Sequence, residues 1–178
     1  MNDALAFLVD SLLTIYLYVL ILRFVMQLVR ADFRNQIAHF VLIVTNPVIM
    51  PLRRIFPPVG KIDTASVLAI VVFAALYIGI MTMLAAHVVL GPLAWMIETA
   101  RLLLQKFIVF FMGAIFIYAI LSWVVPPGYS PPMALLGAVC EPVLRPIRRL
   151  IPPIGGLDLS VLWALLALGV LLRLFHFA

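Results

Sequence analysis

Two stretches of this 178-residue chain set adjacent arginines between prolines: Pro51-Leu52-Arg53-Arg54-Ile55-Phe56-Pro57 and Pro146-Ile147-Arg148-Arg149-Leu150-Ile151-Pro152. A planar guanidinium fork suits capture of a phosphate or carboxylate, and flanking prolines restrict the backbone that carries it. Each stretch is followed by an acid, Asp63 or Asp158. That carboxylate suits the N-cap of a following helix; an ion pair with the neighbouring arginines, locking each hairpin shut, is the alternative. Arginines of this kind also fix topology and attract anionic headgroups, at about 1 kcal/mol per charge near a membrane surface. In every version the chemistry is anion binding, toward anionic lipid or a protein partner.

Two further charges lie within apolar surroundings, Asp10 and Arg23. Thirteen residues separate them, about 20 Å at helical rise, so they cannot pair within one helix. Snorkelling of Arg23 to the nearer interface is the simple expectation; an intramembrane charge is otherwise a functional candidate. No nucleophile stands beside a base, and no phosphate-cradling glycine loop is present. The single cysteine, Cys140, and three scattered histidines offer no metal-ligand spacing. These absences set the expectation of a non-enzymatic protein without cofactor or metal.

The elements that position these residues follow from composition. Hydrophobic residues make up 66% of the chain and charged residues 11%, against about a quarter charged in soluble domains. Four segments have the length and apolarity to cross about 30 Å of hydrocarbon: 4–29, 64–90, 102–125 and 159–177. Shorter runs at 37–50 and 133–144 are expected as interfacial or re-entrant helices. The net charge of +5 comes from short clusters beside apolar spans, which argues for lipid headgroups and against nucleic acid.

A shift of 95 positions lays the segment Pro47–Asp63 onto Pro142–Asp158 with nine of seventeen residues identical. The expected fold is therefore an all-α membrane protein of two tandem helix–basic hairpin–helix repeats. The first covers 1–92, with spans 4–29 and 64–90 around hairpin 30–63; the second covers 93–178, with spans 102–125 and 159–177 around hairpin 126–158. Within each hairpin, Pro47 and Pro142 are expected to end the short helix. Pro51 and Pro146 should start a one-turn segment, Pro57 and Pro152 should stop it, and Gly60 permits the turn back. Asn35 and Ser130 are placed to cap the short helices. By the positive-inside rule both hairpins face the cytoplasm and both termini the far side.

The doubled P-V-x-x-P-[LI]-R-R-x-x-P-P-x-G-x-[IL]-D pattern resembles the YggT family of bacterial integral membrane proteins, related to single-repeat YlmG-type proteins. The resemblance covers nearly the whole chain. It departs at Gln36, where the family pattern has proline, and at Lys61, where it has glycine. It implies a bacterial inner-membrane location, no known catalytic activity, and links to osmotic or envelope stress tolerance. Expected partners are anionic headgroups, a second copy or another membrane protein. A scaffold or assembly factor is the leading reading, and a channel or transporter component for a small ion is the alternative.

Overall fold

Helix formation begins with apolar sequence free of breakers. α1 (Asn2–Leu28) contains no proline or glycine over 27 residues and closes in a Schellman motif. There the Arg30 N–H donates to the Gln27 carbonyl at 3.2 Å and the Ala31 N–H to the Met26 carbonyl at 2.8 Å. Arg30 takes the left-handed position of that motif with φ 52°. The computed structural model describes residues 2–31, 35–60, 62–86, 90–124, 130–150 and 158–177.

Five more helices follow: α2 (Gln36–Ile55), α3 (Thr64–Met81), α4 (Pro92–Val124), α5 (Pro131–Leu150) and α6 (Ser160–Phe177). A π-helical turn, Thr82–Ala86, extends α3. Among the described residues the only non-helical pairing is the Val59–Ile62 bridge, whose turn is made by Gly60 at φ 62°. The expected caps form: the Ala38 N–H donates to Asn35 Oδ1 at 2.6 Å, and the Met133 N–H to Ser130 Oγ at 3.4 Å.

Side-chain pairs fix the directions of the long helices. The Tyr77 hydroxyl donates to Asp10 and Tyr16 stacks near Phe73, so α3 runs antiparallel to α1. Lys106 meets Thr14 and Phe110 meets Tyr18, so α4 runs parallel to α1. α1 lies at the centre: Leu17, Leu20, Ile21, Val25 and Met26 are buried against Ala65, Ala69 and Ile70 of α3 and Ile115 of α4. Outward-facing residues such as Phe7, Leu12, Ile15 and Leu76 stay exposed, as lipid contact requires.

Four helical segments are long and apolar enough to cross a membrane: Ala4–Leu28, Gln36–Ile55, Thr64–Leu84 and Pro92–Val124. The chain is a membrane protein by this measure. Three expectations need correction. α2 and α5 each have 20 residues, and α2 reaches spanning length, where shorter helices over 37–50 and 133–144 were expected; the apolar stretch of α6, Ser160–Phe175, is shorter than the four others. α4 begins ten residues before the expected 102, because Gly91-Pro92 starts the helix and proline suits its first turn.

Length alone does not set the path of α2. Its first residue follows Ala31 by five positions, and its last precedes Thr64 by nine. Since α3 is antiparallel to α1, both ends of α2 sit at one end of the α1–α3 pair. Its middle meets Arg23. α2 therefore crosses over the end of the pair instead of returning alongside α1.

The prolines correct a fourth expectation. Pro47 and Pro51 lie inside α2, and Pro142 and Pro146 inside α5; neither pair ends or restarts a helix. A proline frees the carbonyl four residues earlier. Ile43, Pro47 and Pro51 all fall on the exposed face of α2, opposite the buried Ala38, Val41, Thr45 and Ile49. Freed carbonyls on that face can be solvated, which removes most of the usual penalty. Pro57 does follow the end of α2, and Pro152 lies outside the described residues.

Candidate functional site

The polar residues converge at the crossing of α2 over α1 and α3. Arg23 of α1 is 3% exposed and does not snorkel, because α2 packs over it. One of its terminal nitrogens donates to Thr45 Oγ1 at 2.6 Å and Asn46 Oδ1 at 2.8 Å. Thr45 also donates to the Val41 carbonyl of the preceding turn. Eight residues beyond Thr45, Arg53 Nη2 meets Asp63 Oδ2 at 2.6 Å. The Ser66 hydroxyl donates to the same oxygen at 2.6 Å.

Asp63 occupies the N-cap position of α3, yet its carboxylate accepts no capping backbone N–H. The ion-pair alternative is the one realised. Burial alone raises the Asp63 carboxyl; the hydrogen bonds from Arg53 and Ser66 and the charges of Arg53 and Arg23 outweigh it, holding the group below the usual carboxylate value. The residue ties three helices together, with α2 contributing Arg53, α3 contributing Ser66 and α1 contributing the nearby charge of Arg23.

The same staple recurs 95 positions later. Arg148 Nε and Nη2 donate to Asp158 Oδ2 at 2.9 and 2.7 Å, and Nη1 reaches Glu141 at 3.2 Å. Asp158 also accepts the Ser160 backbone N–H at 3.1 Å and the Ser160 hydroxyl, so it caps as well as pairs. Burial raises this carboxyl too, and the bonds from Ser160 and Arg148 bring it below the usual value. Around the staple the halves differ. Positions of Arg23, Thr45 and Asn46 fall on Tyr118, Cys140 and Glu141, and Ser160 falls on Ala65. Accordingly Asp63 Oδ1 has no protein partner, where Asp158 Oδ1 has two.

Arg54 and Arg149 follow the stapled arginines by one residue and remain exposed. The four arginines singled out in the sequence thus divide by surroundings. Arg53 and Arg148 hold their own hairpins; Arg54 and Arg149 are presented outward on α2 and α5, each held in place by the staple beside it.

A second polar cluster lies within the spans. Lys106 Nζ donates to Thr14 Oγ1 at 2.8 Å and sits 5.8 Å from the Tyr18 ring and 5.4 Å from the Tyr77 ring, within cation–π range. Tyr77 in turn donates to Asp10. Sequence reasoning counted Lys106, near the start of the span expected over 102–125, only among the charges of the side opposite the hairpins, and missed this group. The signal was present on α1, where Asp10, Thr14 and Tyr18 recur every four residues and so share a face. Among the described residues no His, Cys, Asp and Glu cluster could hold a metal ion.

The chain matches the model of the CCB3/YggT family over residues 2–84 and 97–177. It is 43% identical over 175 residues to an uncharacterized protein of Pseudomonas aeruginosa, covering 96% of this chain and 87% of that protein. It is 42% identical over 164 residues to an uncharacterized protein of Vibrio alginolyticus, covering 90% and 86%. The uncharacterized protein YggT of Escherichia coli is 37% identical over 169 residues, covering 95% and 87%. No solved structure matches.

Proposed function

Given that the chain belongs to the CCB3/YggT family, we propose that it is a non-enzymatic scaffold or assembly factor of the bacterial inner membrane. In this reading α2 and α5 lie at the cytoplasmic face and both termini are periplasmic. Arg54 and Arg149 engage anionic lipid or a membrane-protein partner, and the contact supports envelope or osmotic stress tolerance. The observation that carries the reading is the recurring staple. Two buried or half-buried ion pairs, Arg53–Asp63 and Arg148–Asp158, fix helices whose next residue is an exposed arginine. Generic attraction to a membrane surface does not require such fixing, whereas recognition of a phosphate or carboxylate in one geometry does.

Photocrosslinking groups placed at Met50 and Leu150, both exposed, test this in native membranes. Capture of anionic lipid or one protein band, lost when Arg54 and Arg149 become Gln, is the expected result. Proteoliposome flux provides the opposing test, since the Asp10–Tyr77 and Lys106–Thr14 contacts put polar groups inside the spans. Potassium or proton flux above empty liposomes, altered by the same substitutions, would replace the scaffold with a conduction protein.

A further inference from the structure

Two adjoining cavities lie between the C-terminal end of α1 and α5. One has a volume of about 470 Å³ and the other about 340 Å³, and they share Val29 and Ala138 as wall residues. Together they form one trough, of a size usual for ligand sites. Arg30 lines one part, and Arg145 and Arg149 line the other. The one carboxylate in the wall, Glu141, already accepts a bond from Arg148. The trough is thus basic, with an apolar floor stiffened by Pro142 and Pro146.

Arg30 is the second observation. It stands at φ 52°, where glycine is the usual Schellman residue and any other costs about 1 kcal/mol. Strain retained at a cavity wall points to use of the side chain. A third observation is asymmetry. Shifted by 95 positions, Arg145 falls on Met50 and Arg30 on Val125. The staples occur twice in the chain; this set of charges occurs once, where the first half meets the second.

We infer that this trough is a binding site for a phosphate group carried by an anionic lipid. The inference rests on the lipid-engaging role proposed above and names its site. The level fits: Arg30 lies just past the end of the Ala4–Leu28 span, where headgroup phosphates sit. Arg145 and Arg149, one helical turn apart on α5, line the part that would take the phosphate; Arg30 adds its charge from the adjoining part, and Val29, Ala138 and the prolines can receive the glycerol and first methylenes.

The test uses the full chain in neutral detergent, with bound lipid counted by native mass spectrometry. Phosphatidylglycerol, phosphatidylcholine and inorganic phosphate are added separately. One saturable phosphatidylglycerol per chain, with no matching phosphatidylcholine, is expected. Arg30→Gly with Arg145→Gln should weaken it at least about tenfold, since each charge-assisted bond is worth roughly a factor of ten or more. Glycine is favoured at position 30, so folding should survive; circular dichroism checks this, and Arg145→Gln alone is a milder second variant. Arg54→Gln should lower attraction to anionic vesicles while keeping the single bound lipid. Equal loss of that lipid in Arg54→Gln and in the double variant overturns the trough but leaves the lipid-engaging role. Absence of any preference for phosphatidylglycerol overturns both. Protection by inorganic phosphate, with phosphatidylglycerol no better than phosphatidylcholine, assigns the site to a soluble phosphate and overturns the lipid.

Discussion

Changing Asp63 to Asn should destabilise the protein far more than changing Asp158 to Asn, although the two acids occupy equivalent places. Asp63 has a side chain 0% exposed and pairs with an Arg53 side chain 40% exposed. Breaking a buried pair from one side costs about 3–5 kcal/mol. Arg53 can recover hydration, which lowers the figure, but Arg23 is 3% exposed and loses a nearby countercharge. The expected net loss is about 2–3 kcal/mol. Asp158 is 33% exposed, its partner Arg148 is 31% exposed, and Glu141 remains to hold that arginine. There the loss should be about 1 kcal/mol. Unfolding in mixed micelles with rising denaturing detergent, followed by circular dichroism, measures both. A double-mutant cycle with Arg53→Gln isolates the coupling. Equal losses, or a larger loss at Asp158, would refute the argument that burial of the acid sets the cost.

The pH dependence has a definite sign: both carboxyls lie below their ordinary value in the folded chain. Their stabilisation is complete above the unfolded value near 4 and is lost as pH falls through the lower folded values, so Asp63→Asn should flatten stability only in that acid range. Ala65→Ser places a hydroxyl where Ser160 serves Asp158, and should stabilise by about 1 kcal/mol in the same micelle assay by partnering Asp63 Oδ1. Tyr77→Phe removes the donor to Asp10 and should cost about 1–3 kcal/mol; Tyr18→Phe, which leaves that bond intact, should cost less when both are unfolded in parallel. Pro47→Ala returns a donor to α2, but the Ile43 carbonyl it would bond lies on the exposed face, so the gain in stability should stay below about 1 kcal/mol in the micelle assay, far from the usual ~3 kcal/mol for a helix-interior proline.

How much of this could be read from sequence depended on whether the signal was local. The caps at Asn35 and Ser130 and the turn at Gly60 needed only neighbouring residues, and they were legible. The family could be read from the doubled proline–arginine motif. The role of Asp63 could not, because a cap and an ion pair ask for the same residue at the same place; what decides is the approach of Arg53 and Ser66 in three dimensions. The prolines misled for a related reason. Their effect on a helix depends on whether the freed carbonyl meets water, and exposure of the Ile43–Pro47–Pro51 face is a tertiary property. Lys106 fell near the start of the span expected over 102–125 and counted only as a charge of the side opposite the hairpins. Its partners lie on α1 and α3, far away along the chain.

The Arg53–Asp63 and Arg148–Asp158 contacts each join residues only ten positions apart. Loops of that size close in roughly 10–100 ns, far faster than the ribosome adds a residue at about 5–20 per second. The first staple can therefore form before α4 has been synthesised. Once it has formed, turning α3 over in the bilayer means breaking a buried ion pair as well as moving the arginines of that hairpin across hydrocarbon. The buried first pair therefore adds to the cost of reorienting the first half once it has closed, whereas the half-exposed second pair adds little.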